Sequence, residues 1–179
     1  GKMFSSFTRG RESSILGELV RAVEGLAERH LGGLVVIERT VGLKNIVETG
    51  TLVEGRVSAE LLMTIFTPPS PLHDGAVVIS GTQVVAAGCI LPLSQNPRLA
   101  YALGTRHRAA LGISEESDAI VVVVSEETSQ ISIAEGGRLV PNLDPGALRS
   151  TLATLFKARP QPSTPAEPET RAEEAAAGT

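Results

Sequence analysis

Two short runs of consecutive apolar residues constrain this chain more than anything else in it: Leu34-Val35-Val36-Ile37 and Ala119-Ile120-Val121-Val122-Val123-Val124. Both are brief and dominated by β-branched side chains, the pattern of strands buried inside a sheet. Two hairpins are expected beside them. One pairs residues 77–80 with 83–91 through a Gly81-Thr82 turn, and the other pairs 130–134 with 138–140 through Gly136-Gly137. Helical periodicity alternates with these strands. Ser13 or Ser14 caps a helix with Ile15, Leu19, Val23 and Leu26 on one face, ended by Gly32-Gly33. Ser58 caps a second helix through Phe66, stopped by Pro68, Pro69 and Pro71. Residues 105–111 read as a short helix that Gly112 stops. Asp144-Pro145, a cap followed by proline at the first helical position, opens a last helix to about Lys157. Residues 38–54 read as a polar segment and 92–103 as a loop. Hairpins mixed with strand–helix alternation predict an α/β fold, a mixed twisted β-sheet with helices on both faces.

The length of 179 residues suits one core. One domain is expected over 13–158, after a polar linker over 1–12 and before a Pro-, Ala- and Glu-rich tail over 159–179 with the composition of disordered chain. Gly1-Lys2-Met3 suggests that a segment upstream is missing. A net charge of −4 argues against non-specific nucleic-acid binding, which needs a basic surface. The single cysteine, Cys89, excludes an internal disulfide and a cysteine zinc cage. It sits in an apolar run, as a small buried hydrophobe in a reducing compartment would. No stretch is long and apolar enough to span a bilayer, and there is neither a signal peptide, a P-loop nor a glycine-rich dinucleotide fingerprint.

Three segments could carry chemistry. Asp74 lies just ahead of a strand, where a ligand can reach it, and Gly75 leaves room for close approach to the backbone. His73 adds a second metal-binding or proton-transferring group; a plain polar turn is the alternative. The second segment is Thr105-Arg106-His107-Arg108, three groups able to be cationic after Gly104 at an expected helix N-terminus. Free N–H groups and the dipole attract phosphate there, whereas cations oppose the dipole unless an anion binds among them. Arginine suits phosphate through its planar fork, and a solvated basic patch is the alternative. The third is Ser125-Glu126-Glu127-Thr128 after a buried strand, able to meet a ribose, a base or a metal, or to be an ordinary turn. His30 ends the first helix and reads as a favourable C-terminal charge.

In order, Pro71-Leu72-His73-Asp74-Gly75-Ala76, Leu91-Pro92-Leu93-Ser94, residues 103–114 (LGTRHRAALGIS) and Val124-Ser125-Glu126-Glu127-Thr128 resemble the diadenylate cyclase domain family. Glu48-Thr49-Gly50 and Ser58-x-Glu60-Leu61-Leu62 resemble it too, and the similarity covers about 34–152. It is strongest to the membrane-bound CdaA type, in which transmembrane helices precede the catalytic domain, and the helical DNA-binding region of the DisA type is missing. The resemblance implies condensation of two ATP molecules into cyclic di-AMP and two pyrophosphates, by two subunits meeting face to face. Asp74, with Gly75 and Ala76, corresponds to the family's catalytic DGA motif and, with His73, would bind Mg²⁺ or Mn²⁺. Arg106, His107 and Arg108 correspond to the RHR motif, which with Gly104 and Thr105 would hold the triphosphate. Ser125, Glu127 and the Leu91 backbone would contact the nucleotide, and Ile90 stands where relatives often carry an adenine-stacking Tyr. The full-length protein would act at the cytoplasmic face of the membrane, with regulatory protein partners and without nucleic acid. A nucleotide-binding sensor without turnover is the alternative. A metal-dependent phosphohydrolase using His73 and Asp74 is a third reading, with few histidines to supply its ligands.

Overall fold

The computed structural model describes residues 2–98 and 103–157, with side chains from residue 15 onward. Seven strands form one mixed sheet in the order β2-β4-β3-β1-β5-β6-β7. In chain order the strands are β1 Gly33–Ile37, β2 Thr51–Arg56, β3 Ala76–Ser80, β4 Gln83–Cys89, β5 Ile120–Val124, β6 Ile131–Glu135 and β7 Arg138–Val140. The helices are α1 Lys2–Glu28, α2 Lys44–Val47, α3 Ala59–Phe66, α4 Thr105–Glu116 and α5 Pro145–Lys157. Only β1 and β3 run parallel; the other neighbouring pairs are antiparallel.

The two apolar runs become β1 and β5, adjacent at the centre of the sheet and buried along their whole length. Their side chains alternate between two cores. Val35, Ile37, Ile120 and Val122 meet Leu19, Leu26, Leu62, Phe66 and Leu148, from α1, α3 and α5. Leu34, Val36, Val121 and Val123 meet Ala110, Leu111 and Ile113 of α4 on the other face. Unbroken apolar runs are therefore required here, because neither face of the central strands meets water. The α/β fold with helices on both faces is the one expected.

Local chemistry sets the helix ends. Ser58 Oγ accepts from the Leu61 amide at 3.1 Å, and Asp144 Oδ1 from Ala147 at 2.7 Å, ahead of Pro145 at the start of α5.

Three boundaries differ from the sequence reading. Helix α1 starts at Lys2, not at Ser13 or Ser14, so the expected linker over 1–12 is largely helical. No proline interrupts it, and Lys, Met, Arg and Glu rank among the good helix formers. The polar segment 38–54 holds α2 and begins β2, an edge strand whose alternation is broken by a bulge between Leu52 and Gly55, with Glu54 at φ 52°. Helix α4 runs through Gly112 to Glu116. Gly112 is a contact point: a Cβ there would drive into the Pro92 carbonyl oxygen. The tail over 159–179 lies outside the described residues. Among the described residues no helix is long and apolar enough to cross a membrane.

Candidate active site

Strands β1, β3 and β6 begin, and β5 ends, at the same end of the sheet. Three segments converge there: the approach to β3, the first turn of α4, and the turn joining β5 to β6. Together they line a cavity of about 560 Å³. Asp74 and Gly75 supply one wall, Gly104, Thr105, Arg106 and His107 another, and Ser125, Glu126, Glu127 and Thr128 a third. The three segments singled out in the sequence, about 20 to 50 residues apart, thus share one space.

The α4 wall gathers uncapped helix amides and cationic groups. Gly104 is the N-cap and contributes no side-chain hydrogen bond, so the first amides of a 12-residue helix keep no side-chain cap. The Arg106 guanidinium is about two-thirds buried, 3.4 Å from Glu126 Oε2. It lies over Gly32, where a Cβ would come within 2.5 Å of its central carbon. Burial, and then the charge of Arg106, hold His107 below the ordinary imidazole value, so without an anion it favours the neutral form. Arg108 does not line the cavity, and its buried Nε has no hydrogen-bond partner among the described residues.

The Asp74 wall is different. Asp74 is 85% exposed, and His73 Nε2 lies 3.5 Å from its Oδ1. His73 Nδ1 lies 2.6 Å from the Ser70 carbonyl oxygen. A carbonyl only accepts, so Nδ1 carries a proton and Nε2 is the nitrogen turned towards Asp74. Gly75 has φ +98°, and a Cβ there would meet the Cys89 oxygen at 2.8 Å. Its first role is thus to let the β3 entrance pass the β4 backbone, beyond the ligand access expected of it. Ala76 is fully buried in the α4-side core, and neither it, His73 nor Leu91 lines the cavity. Ile90 is 69% exposed and also lies outside the lining.

The remaining motif residues hold the frame. Thr49 Oγ1 donates to the Ile46 carbonyl at 2.6 Å and accepts from the Ile90 amide at 2.9 Å, fixing the end of β4. The Ser94 amide donates to the Arg108 carbonyl at 3.0 Å, and Ser94 Oγ to Glu115 at 2.5 Å, so the 91–94 segment is strapped along α4. Gln130, Ser132, Leu139 and Pro141 also line the cavity and were not singled out. Ser132 is legible only as a polar residue in an apolar strand, and Leu139 and Pro141 reach the site only because β7 folds back.

The family pattern designated DAC, described as DisA bacterial checkpoint controller nucleotide-binding, matches residues 20–139. Cyclic di-AMP synthase CdaA of Bacillus subtilis is 45% identical over 139 residues, 78% of this chain and 51% of that protein. A diadenylate cyclase of Listeria monocytogenes is 40% identical over 149 residues, 83% of this chain and 55% of that protein. The chain therefore spans about half the length of these relatives. The crystal structure of a double mutant of DacA from Staphylococcus aureus superposes with a TM-score of 0.79 at 43% identity, covering 82% of this chain and 98% of that one. With the family pattern over most of the fold, and relatives this similar, the chain belongs to the diadenylate cyclase (DAC) domain family.

Proposed function

We propose that this chain is the catalytic part of a diadenylate cyclase, joining two ATP molecules into cyclic di-AMP with release of two pyrophosphates. The observation that carries the reading is the convergence of Asp74, the first turn of α4 and the 125–128 turn on one cavity. Its size suits one small-molecule ligand.

The triphosphate takes the α4 wall. The first amides of α4, Thr105 and Arg106 bind its oxygens, and His107 gains a proton-bound state that an anion stabilises. Ser125 and Glu127 meet the nucleoside, and the Leu91 main chain borders the base. Asp74 holds the attacking 3′-hydroxyl in line and helps to take its proton. A bond forms between that oxygen and the α-phosphorus of the other nucleotide, and the α–β bridging bond breaks to release pyrophosphate. Two such links close the ring. One chain offers one phosphate clamp, so a second copy must present its bound ATP to the exposed Asp74; a face-to-face homodimer follows.

A divalent ion, Mg²⁺ or Mn²⁺, fits Asp74 with His73 Nε2 beside it. When bound, it neutralises charge on the transferring phosphate. Among the described residues no group of three His, Cys, Asp or Glu is placed to hold a metal. The remaining ligands would be ATP oxygens and water, and a phosphohydrolase centre made of protein ligands alone has little support. The solved Bacillus cereus relative, TM-score 0.69 at 43% identity, is described as a hypothetical membrane spanning protein. That likeness supports a full-length protein attached to a membrane through the α1 side; on our reading the domain works at the cytoplasmic face and is open to regulatory protein partners.

Incubation with ATP and Mn²⁺, resolved by chromatography, tests the reading. Cyclic di-AMP and pyrophosphate in a one-to-two ratio are expected. ATP binding with no product would make the chain a sensor module, and phosphate release without cyclic product a hydrolase.

A further inference from the structure

The segment between α1 and β1 meets two of the elements that line the cavity. His30 Nδ1 lies 2.7 Å from Ser129 Oγ, a hydrogen bond between residues 99 apart in sequence. Two residues on, Gly32 leaves the space in which the Arg106 guanidinium lies. One short segment, 30–32, thus braces both the phosphate clamp and the turn opposite it.

The backbone at both ends of the hydrogen bond is unusual. His30 has φ 57° and Ser129 φ 59°, the left-handed region that residues with a Cβ rarely adopt. Such conformations persist where surrounding contacts enforce them, and they gather at functional sites. Within the turn, the Ser129 amide donates to the Ser125 carbonyl at 2.9 Å and the Thr128 amide to Ser125 Oγ at 3.2 Å. These bonds shape the turn but do not orient it against the rest of the molecule. The β5–β6 pairing, Val124 with Ile131, fixes its two ends to the sheet, and side-chain contacts from its tip run to Arg106, through Glu126, and to His30, through Ser129. Arg106 is also the residue a triphosphate would draw on, whereas His30 lies outside the cavity lining.

We propose that His30 is a positioning residue for the nucleotide pocket, holding the 125–130 turn against the first turn of α4 through its hydrogen bond to Ser129. The inference rests on the reading of the cavity as an ATP site. His30 touches no ligand; it sets where Ser125 and Glu127 stand. Solvent reaches the bond, so its effect is moderate, about three- to tenfold in nucleotide affinity.

Three variants separate side chain from backbone. His30→Gly and Ser129→Gly keep the left-handed backbone at ease and delete the bond. His30→Asn keeps both a polar atom near the Nδ1 position and tolerance of the left-handed region. Hydrogen exchange of the 125–130 amides and ATP affinity, measured by calorimetry without metal, are compared with the unaltered chain. His30→Gly and Ser129→Gly should each speed exchange in that turn alone and weaken ATP about three- to tenfold. The double variant should be no worse than the poorer single one, and His30→Asn should recover most of both losses. Unchanged exchange and affinity in the glycine variants would overturn the proposal, as would additive losses or faster exchange throughout α1. If the unaltered chain binds no ATP, the reading of the cavity fails instead, and the exchange of the turn alone decides whether His30 orders it.

Discussion

The two walls contributed by Asp74 and by α4 face the same cavity but are prepared for it in opposite ways. Arg106 is largely buried, tied to Glu126 and fitted over Gly32 before any ligand arrives, and His107 is held near neutrality by burial and by Arg106. Asp74 stands almost fully in solvent beside His73. A wall that concentrates positive charge against a helix dipole is a ligand site already strained towards its anion. A solvated carboxylate at a rim is open to groups from outside its own subunit. On the proposed reading, the contrast separates binding from chemistry: the phosphate clamp is built into the subunit, and Asp74 acts once a second copy is in place.

The sharpest way to break that division is at Asp74. Asp74→Asn should lower cyclic di-AMP formation by about 10²- to 10⁴-fold while ATP affinity stays within about twofold, read by chromatography and calorimetry. A variant that loses ATP binding as well would place Asp74 in the clamp. Next in size, Arg106→Ala should weaken ATP by roughly 10- to 100-fold, the worth of a partly buried charge-assisted hydrogen bond. Its melting temperature without nucleotide should be unchanged or higher, because a cation opposing the dipole has been removed. A marked fall would show that the Glu126 pair, and not the ligand, is the reason for Arg106.

Glycine replacements sharpen the comparison from the side of the frame. Gly75→Ala should cost about 1–3 kcal/mol in denaturant unfolding, because φ +98° and the Cys89 carbonyl both resist a Cβ. Gly112→Ala should do at least as much by pushing the Pro92 carbonyl away from α4.

The smallest effect is a pH dependence. His107 has a lowered value in the fold, below the ordinary 6.5. As pH falls below 6.5, the unfolded chain takes up a proton that the folded chain resists, so stability without nucleotide should decline. His107→Gln should flatten that decline in chemical unfolding followed from about pH 8 to about pH 5. Bound triphosphate should oppose it by favouring the imidazolium.

Much of this was legible in the residues. That Thr105, Arg106 and His107 stand at a helix start is legible from Gly104 and the charges that follow it, and local physics suits such a start to an anion; that Arg108 falls outside the cavity is not legible there. Asp74 is legible only through the resemblance to the family. His30 is legible only in part: a histidine ending a helix reads as a favourable charge, and its partner Ser129, 99 residues away, is joined to it by no local rule. Gly112 reads as a helix stop in the sequence, because the reason for it lies in the Pro92 carbonyl across the loop.

By itself the sequence determined the buried central strands, the capped helices α3 and α5, and the charge at the start of α4. Each follows from periodicity, capping or local electrostatics within a few residues. Only the tertiary structure decided that β1 and β5 lie side by side and that three distant segments close one cavity. It also decided that the segment between α1 and β1 meets two of the walls. Those outcomes depend on strand order and on side chains meeting across long separations, and the free energy of such contacts is written in no single stretch of chain.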